Sequence, residues 1–484
     1  MQISPIDLAI LVLYLAGITL FGARFRRGQK TLRDYFLGGR TAPWWALALS
    51  IVATETSTLT IISTPGIAYD GNLGFLQLVL GYLIARAILC VVLIPQYFQG
   101  EFYTAYQLLE KRFGARMKSA AATIFLVTRA LAEGVRISAI GKVVSVAFGT
   151  GERLSIFIVA VLTLFYTFEG GMRAVIWTDV IQFALYLTGS IAAFFLLLHK
   201  IPGGWMEVTH AAAAGGKLRV FDFAFSLTQS YTFWSGVLGG TFLSMASHGT
   251  DQTLVQRLLA ARNERDSKKA LLASGVIVFV QFALFLMIGV MLFVYAQFHS
   301  LAVPGGDPDR IFPQFIVHDM PVGLTGLVLA SIFAIAMSNA SGSLNSLASS
   351  SIIDLGAQRV DTAHPLRRSR RMTLVWGGVL ALLGLIRWGP VLVAGLTITS
   401  ITYGALLGVF LLGTWNRGAT ENGVLVGFMA GIVSLIAVRL FTPLAWTWYV
   451  LVGTAITFVI GSLVSLAGSG PTRAGIDAQS SEQG

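Results

Sequence analysis

Ser50-Ile-Val-Ala-Thr-Glu-Thr-Ser-Thr-Leu-Thr60 sets six side-chain hydroxyls and one carboxylate between two apolar runs, 44–49 and 61–67. The segment has the length of a membrane span but a polar middle, and polar groups in hydrocarbon are costly unless they are used. A helix broken at mid-membrane uses them, because its freed carbonyls and hydroxyls can line a cavity for a solute or a cation. The competing reading is a continuous helix whose Ser and Thr bond back to their own turn and whose Glu55 pairs with a neighbouring helix.

The rest of the chain supplies the setting. Its 484 residues are 55% hydrophobic and 12% charged, with a mean hydropathy of +0.74. This composition predicts an all-α polytopic membrane protein. Thirteen candidate spans can be counted, near 5–25, 43–69, 74–98, 117–147, 153–172, 175–199, 232–256, 269–297, 323–356, 371–388, 391–415, 422–441 and 444–468. The formal charge of +11 reads as orientation rather than nucleic-acid binding, since no soluble domain carries a basic face. Basic residues follow the first, third, seventh and ninth spans: Arg24 to Arg40, Lys111 to Lys118, Arg257 to Lys269 and Arg359 to Arg371. By the positive-inside rule these loops are cytoplasmic, the N-terminus is outside and the C-terminus is inside. The first span has no charged leader and no cleavage pattern, so it is expected to be retained. Cys90, the one cysteine, lies in an apolar span and excludes a disulfide framework.

Arg129, Glu133 and Arg136 in the 117–147 span share one helical face. Either they form a structural ladder that also answers Glu55, or an arginine, Arg136 foremost, offers its planar fork to a substrate carboxylate. Asp179 falls inside the next span but one and requires a cation, with Arg173, a metal ion or a mobile proton as candidates. The span after the external loop is interrupted at Ser244-Met-Ala-Ser-His-Gly-Thr-Asp251. His248 there reads as a satisfied histidine rather than a ligand, since no second His accompanies it. In the ninth span, Ser338, Asn339 and Ser341 supply neutral oxygens of the kind hard cations select. The same small residues also allow close helix packing. Two runs of five spans each begin with a polar-interrupted helix, the pattern of an inverted repeat with a midplane site.

Several motifs occur in order: Asp34-Tyr-Phe-Leu-Gly-Gly39, Trp177-Thr-Asp-Val-Ile-Gln182, Gly249-Thr-Asp-Gln-Thr-Leu-Val-Gln-Arg257, Phe333-Ala-Ile-Ala-Met-Ser338 with Leu344-Asn-Ser346, and Gly413-Thr-Trp-Asn-Arg-Gly-Ala-Thr420. On these the chain resembles the sodium:solute symporter family, which includes bacterial proline, galactose and sialic acid transporters and the sodium–glucose transporters. The resemblance implies a leucine-transporter-like core of five plus five helices, with one helix before it and two after. The expected organisation is 1–42, an accessory helix and cytoplasmic loop; 43–200, the first repeat; 201–231, an external loop; 232–415, the second repeat; 416–468, two accessory helices; and 469–484, a disordered cytoplasmic tail. The implied location is a bacterial-type inner membrane, with lipid, sodium and a small polar solute as partners.

By motif position, the family's common sodium site falls on Ala53 and Thr56 and on Ile335, Ser338 and Asn339. Asn339 replaces the usual Ser or Thr while keeping an oxygen. A second cation site of some members falls on Asp179 and Ser341, but its third position is Gly342, so one sodium per cycle is expected and Asp179 is a candidate for cation release or proton coupling. Solute contacts are expected from Thr54, Glu55, Ser57, Thr60, Phe75, Arg136, Ser244 and Ser247. The sialic acid transporters' carboxylate-binding arginine aligns with Ala132, between Arg129 and Arg136. The reading is a sodium-coupled symporter working by alternating access. Its alternatives are proton coupling through Glu55 or Asp179 and, less favoured, a transporter-like sensor, for which the stretch after Gly468 offers no output domain. No nucleophile–base pair or phosphate-cradling loop supports an enzyme.

Overall fold

In the computed structural model the described residues are 4–25, 31–148, 151, 153–157, 171–299, 308–355, 365–386, 388 and 391–468. Among them there is no strand. The long helices are α1 (Pro5–Ala23), α3 (Trp44–Glu55), α4 (Thr58–Asp70), α5 (Leu76–Val92), α8 (Ala115–Phe148), α9 (Gly171–Lys200), α11 (Phe233–Gly249), α13 (Glu264–Phe298), α15 (Leu324–Ile353), α16 (Pro365–Gly384), α17 (Val391–Trp415), α18 (Glu421–Phe441) and α19 (Tyr449–Gly468). Shorter helices lie between them: α2 (Leu32–Leu37), α6 (Ile94–Tyr97), α7 (Tyr106–Phe113), α10 (Gly204–Ala214), α12 (Gln252–Leu259) and α14 (Ile311–Asp319).

Eight of these helical segments are long and apolar enough to cross a membrane, and α3 with α4 make a ninth if the bent pair is one span. α8 and α16 are also of spanning length, but each carries several charges. The candidate span 153–172 and the tail 469–484 fall largely or wholly outside the described residues.

α15 is the centre of the molecule. Nine-tenths of its most apolar window is buried inside the protein (89%), against 22% for α1 and 33% for α18 and α19, so α15 is an inner helix and those three are outer ones. α9 and α8 pack along α15, and α1 closes one side of it. There Asp7 accepts from the backbone N–H groups of Gly323 and Gly326, each at 2.7 Å. These are orphan donors at the start of α15, so a side chain of α1 caps another helix across the sequence.

Two glycine contacts bring helices close enough to hold the break. A Cβ at Gly289 of α13 would overlap the carbonyl of Pro65, and one at Gly240 of α11 would overlap that of Leu78 on α5. The bend falls inside the polar stretch 50–60, 63° between Glu55 and Thr58, because Ser57 and Thr60 form a capping box that starts a new helix there. α4 then runs through Pro65, from Thr58 to Asp70. α2 buries Tyr35 and Phe36 against Ile352 of α15, and Gln256 Nε2 donates to Phe36 O at 2.8 Å.

Candidate functional site

The break disconnects backbone groups in a defined way. Thr56 N still donates to Val52 O, but Ser57 N donates to Thr60 Oγ1 at 3.2 Å. Ala53 O is thereby left without its i+4 donor. Gln281 Nε2 of α13 donates to Thr56 Oγ1 at 2.7 Å, and Tyr186 of α9 donates to Gln281 at 3.1 Å. Thr54 Oγ1 bonds back to Ser50 O. The opened turn is therefore clamped by two neighbouring helices rather than loose.

Beside it lies a cavity of about 130 Å³. Thr54, Glu55, Ser57, Thr60, Phe75, Arg136 and Ser247, all expected at a solute site, line it. Ser244 does not: its hydroxyl faces His248 Nδ1 at 3.3 Å, on the same helix one turn away. Tyr82, Phe282, Thr399, Tyr403 and Arg129 are among the other residues that line it. The first four sit in otherwise unremarkable apolar or small-residue runs, and only the tertiary packing brings them here.

Three buried charge networks lie among these helices, and two of them contribute residues to the cavity lining. Glu55 pairs with Arg86 of α5, whose Nη2 also lies 3.2 Å from His248 Nε2, while His248 Nε2 is 3.4 Å from Glu55. In one of the readings Glu55 answers Arg129 and Arg136; instead Arg86 reaches it from the facing helix. An arginine inside an apolar span was the available signal. His248 is satisfied on both ring nitrogens, as a structural histidine would be.

The second network joins Arg129, Glu133 and Arg136. Glu133 lies 3.7 Å from Arg129 and 3.1 Å from Arg136, and Ser343 Oγ donates to Glu133 while accepting from Arg129. The positive charge that the sequence left over is met by Asp251, 3.8 Å from Arg129 and accepting from Tyr403 at 2.6 Å. Arg129 is 5% exposed and Arg136 19%. Both arginines line the cavity, and Arg136 is the more exposed of the two.

The third network holds Asp179, fully buried on α9. It accepts from Ser338 Oγ and Ser50 Oγ, each at 2.5 Å, and pairs with Arg257 Nη2 at 3.0 Å. The required cation is thus Arg257, which reading by sequence had counted among the basic residues of a cytoplasmic loop. Arg257 is 1% exposed because α12 is a buried half-helix whose N-cap is Asp251. A Cβ at Gly342 would fall 2.9 Å from Arg257 Nη2, so the guanidinium lies over the position where a hydroxyl side chain was missing. Ser341 Oγ donates to Ser338 O at 3.0 Å.

Of the five positions expected to bind sodium, Thr56, Ile335 and Asn339 meet through the Asn339 amide. Ser338 directs its hydrogen to Asp179, which leaves the oxygen lone pairs free to accept a cation. Asn339 departs from expectation. Its Nδ2 donates to Thr56 O at 2.7 Å and to Ile335 O at 3.1 Å, while Oδ1 lies 3.4 Å from Arg136 Nη1. Its nitrogen, not its oxygen, therefore faces the two carbonyls. Among the described residues no group of three or more His, Cys, Asp or Glu is placed to hold a metal.

The sequence profile of the sodium:solute symporter family matches residues 35–431. The chain belongs to the sodium:solute symporter family. It is 31% identical to the sodium/sialic acid symporter of Aliivibrio fischeri over 474 residues, covering 93% of this chain and 91% of that one. It is 29% identical to the sodium/sialic acid symporter of Proteus mirabilis, with 95% of both chains covered. The human sodium/iodide cotransporter is 30% identical over 91% of this chain and 69% of its own length. A solved substrate-bound, outward-open structure of a Na+-coupled sialic acid symporter superposes with a TM-score of 0.89, at 29% identity over 96% of this chain and 98% of the other. A nucleobase–cation symporter of 12% identity has a TM-score of 0.60, which extends the likeness of fold alone. This family member is a sodium-coupled symporter, a membrane transporter and not an enzyme.

Proposed function

We propose that the solute is a small carboxylate-bearing organic molecule bound in the cavity beside the break, its carboxylate on Arg136. The observation that carries this is the difference between the two arginines: both line the cavity, but Arg129 is held among Asp251, Glu133 and Ser343 and is 5% exposed, whereas Arg136 is 19% exposed. Phe75, Tyr82 and Phe282 give the cavity an apolar wall, and Thr54, Thr60 and Ser247 supply hydroxyls. That combination suits a solute with a hydrocarbon face and polar substituents. Sialic acid, the solute in the names of two relatives, is one such acid.

Sodium sits in this reading among Ala53 O, Thr56 O, Ile335 O, Ser338 Oγ and Asn339, and ties α3 to α15. Asp179 acts on it indirectly by orienting the Ser338 hydroxyl. The Asp179 and Ser341 neighbourhood holds no second sodium, because the Arg257 charge lies there, and one sodium moves per cycle. Proton coupling through Glu55 or Asp179 is disfavoured by the guanidinium partner each carboxylate has. Thirteen spans in a five-plus-five inverted repeat, an outside N-terminus and a cytoplasmic C-terminus in a bacterial inner membrane complete the assignment.

Thermal unfolding of the detergent-purified protein tests the proposal against a panel of sugars, sugar acids, amino acids and monocarboxylates, each in sodium and in equal potassium. A ligand that binds only the native state raises the midpoint by mass action. Acids should stabilise in sodium and not in potassium, and Arg136→Gln should abolish the shift. Stabilisation by neutral sugars alone would remove the carboxylate from the reading. A shift equal in both salts would remove the sodium site.

A further inference from the structure

Asn339 offers two chemically opposite ends, and each is engaged. Nδ2 donates to Thr56 O and Ile335 O, and Oδ1 meets Arg136 Nη1. An N–H donor and a cation cannot use the same carbonyls from the same place, since both take the oxygen lone pairs. We propose that Asn339 is a two-position element that couples sodium to the solute through Arg136. With Oδ1 held by Arg136, the amide nitrogen fills the cation's place. With Arg136 drawn away, the amide turns and presents Oδ1 to sodium. This rests on the sodium site and the Arg136 role proposed above.

Three observations support the turn. The Arg136 contact to Asn339 is 3.4 Å, longer than its 3.1 Å bond to Glu133, so it is the one more readily given up. A gap of about 10 Å³, bordered by Thr58, Glu133, Arg136, Ala336 and Asn339, lies beside the amide. Arg136 also borders the cavity, so a solute carboxylate arriving there competes with Asn339 for the same guanidinium. An acidic solute would thus release the amide as it binds, and sodium bound first would free Arg136 from Oδ1. A Ser or Thr at position 339 has a single oxygen and no nitrogen to stand in for the cation, so it could not report on Arg136 in this way.

The test is a double-mutant cycle on sodium affinity measured without solute. Sodium chloride is titrated against potassium chloride at constant ionic strength, and apparent affinity is read from thermal unfolding. Wild type, Asn339→Ser, Arg136→Gln and the double variant form the cycle, and Ser338→Ala serves as a probe of the sodium site itself. Removing the Arg136 charge lessens repulsion of sodium in either background, and that part cancels in the cycle. The expected result is that Asn339→Ser tightens sodium, and that Arg136→Gln tightens it by a factor about threefold or more greater with Asn339 present than with Ser, a coupling of the size found for residues in contact. Additive effects, with Ser338→Ala still weakening sodium, would overturn the two-position element and leave the site standing. Indifference of sodium affinity to all four variants would overturn the site and the inference together. Should Arg136→Gln not fold, Arg136→Lys keeps a charge for Glu133 but gives up the guanidinium fork, and takes its place in the cycle.

Discussion

Ser338 and Arg86 show how single side chains divide the work at the site. Ser338 spends its hydrogen on Asp179 and keeps its lone pairs for a cation, so Ser338→Ala should raise the sodium concentration needed for half-maximal uptake and, because buried Asp179 loses a donor, should also cost about 1–3 kcal/mol of stability in potassium. Equal sodium activation in variant and wild type would remove Ser338 from the site. Arg86 has a structural role: it closes on Glu55 and His248, and its Nε donates to Ser274 Oγ at 3.3 Å. Removing one partner of a buried pair costs about 3–5 kcal/mol, because the other charge is left uncompensated. Arg86→Met should therefore lower the unfolding midpoint strongly. Adding Glu55→Gln to it should recover part of the loss. A double variant as unstable as the single one would mean that the pair is not what holds these residues.

At the scale of elements, the bent pair α3 and α4 depends on the capping box at its centre. Ser57→Ala removes the acceptor for Thr60 N and should cost about 1 kcal/mol, read as a lower midpoint. An undiminished midpoint would show that the clamp by Gln281 and Tyr186 alone sets the break. At the far end of α15, Asp354 lies just beyond the span, buried, accepting from Thr104 at 2.6 Å and from Ser350 at 2.7 Å. Burial pushes its carboxyl up to about 7, opposed by those hydrogen bonds and by Lys118. A carboxyl raised on folding contributes stability in full below the unfolded value near 3.8, and that stability is lost as pH rises through about 7. Unfolding measured from pH 4 to 8 should show this loss, at most about 1.4 kcal/mol per pH unit from this group. In Asp354→Asn the slope should flatten. An unchanged slope would assign the pH dependence to other groups.

For the whole molecule, alternating access requires that sodium and solute favour a common geometry. Coupling of that kind is reciprocal for binding: sodium must raise solute affinity by the same factor as solute raises sodium affinity. Calorimetric titration of each ligand at saturating and zero concentrations of the other checks the equality. Unequal factors would show that a third species, a proton or a second ion, changes occupancy in the cycle.

The residue order alone determined the membrane class, the polar interruptions near 50–60 and 244–251, and the family, because hydropathy and motif spacing are properties of the chain in one dimension. It also located Ser338 and Asn339, since neutral oxygens inside a hydrophobic span stand out against their neighbours. Only the tertiary structure decided how the charges pair. Arg86 and Glu55 are 31 positions apart and Arg257 and Asp179 are 78 apart, so their partnership depends on how helices cross, which periodicity does not encode. Within the polar stretch, the exact turn was likewise decided by the Ser57–Thr60 capping box and by Gln281 reaching in from α13. The orientation of the Asn339 amide was decided the same way: its two ends are nearly equal in shape, and their direction is set by a guanidinium on one side and two carbonyls on the other.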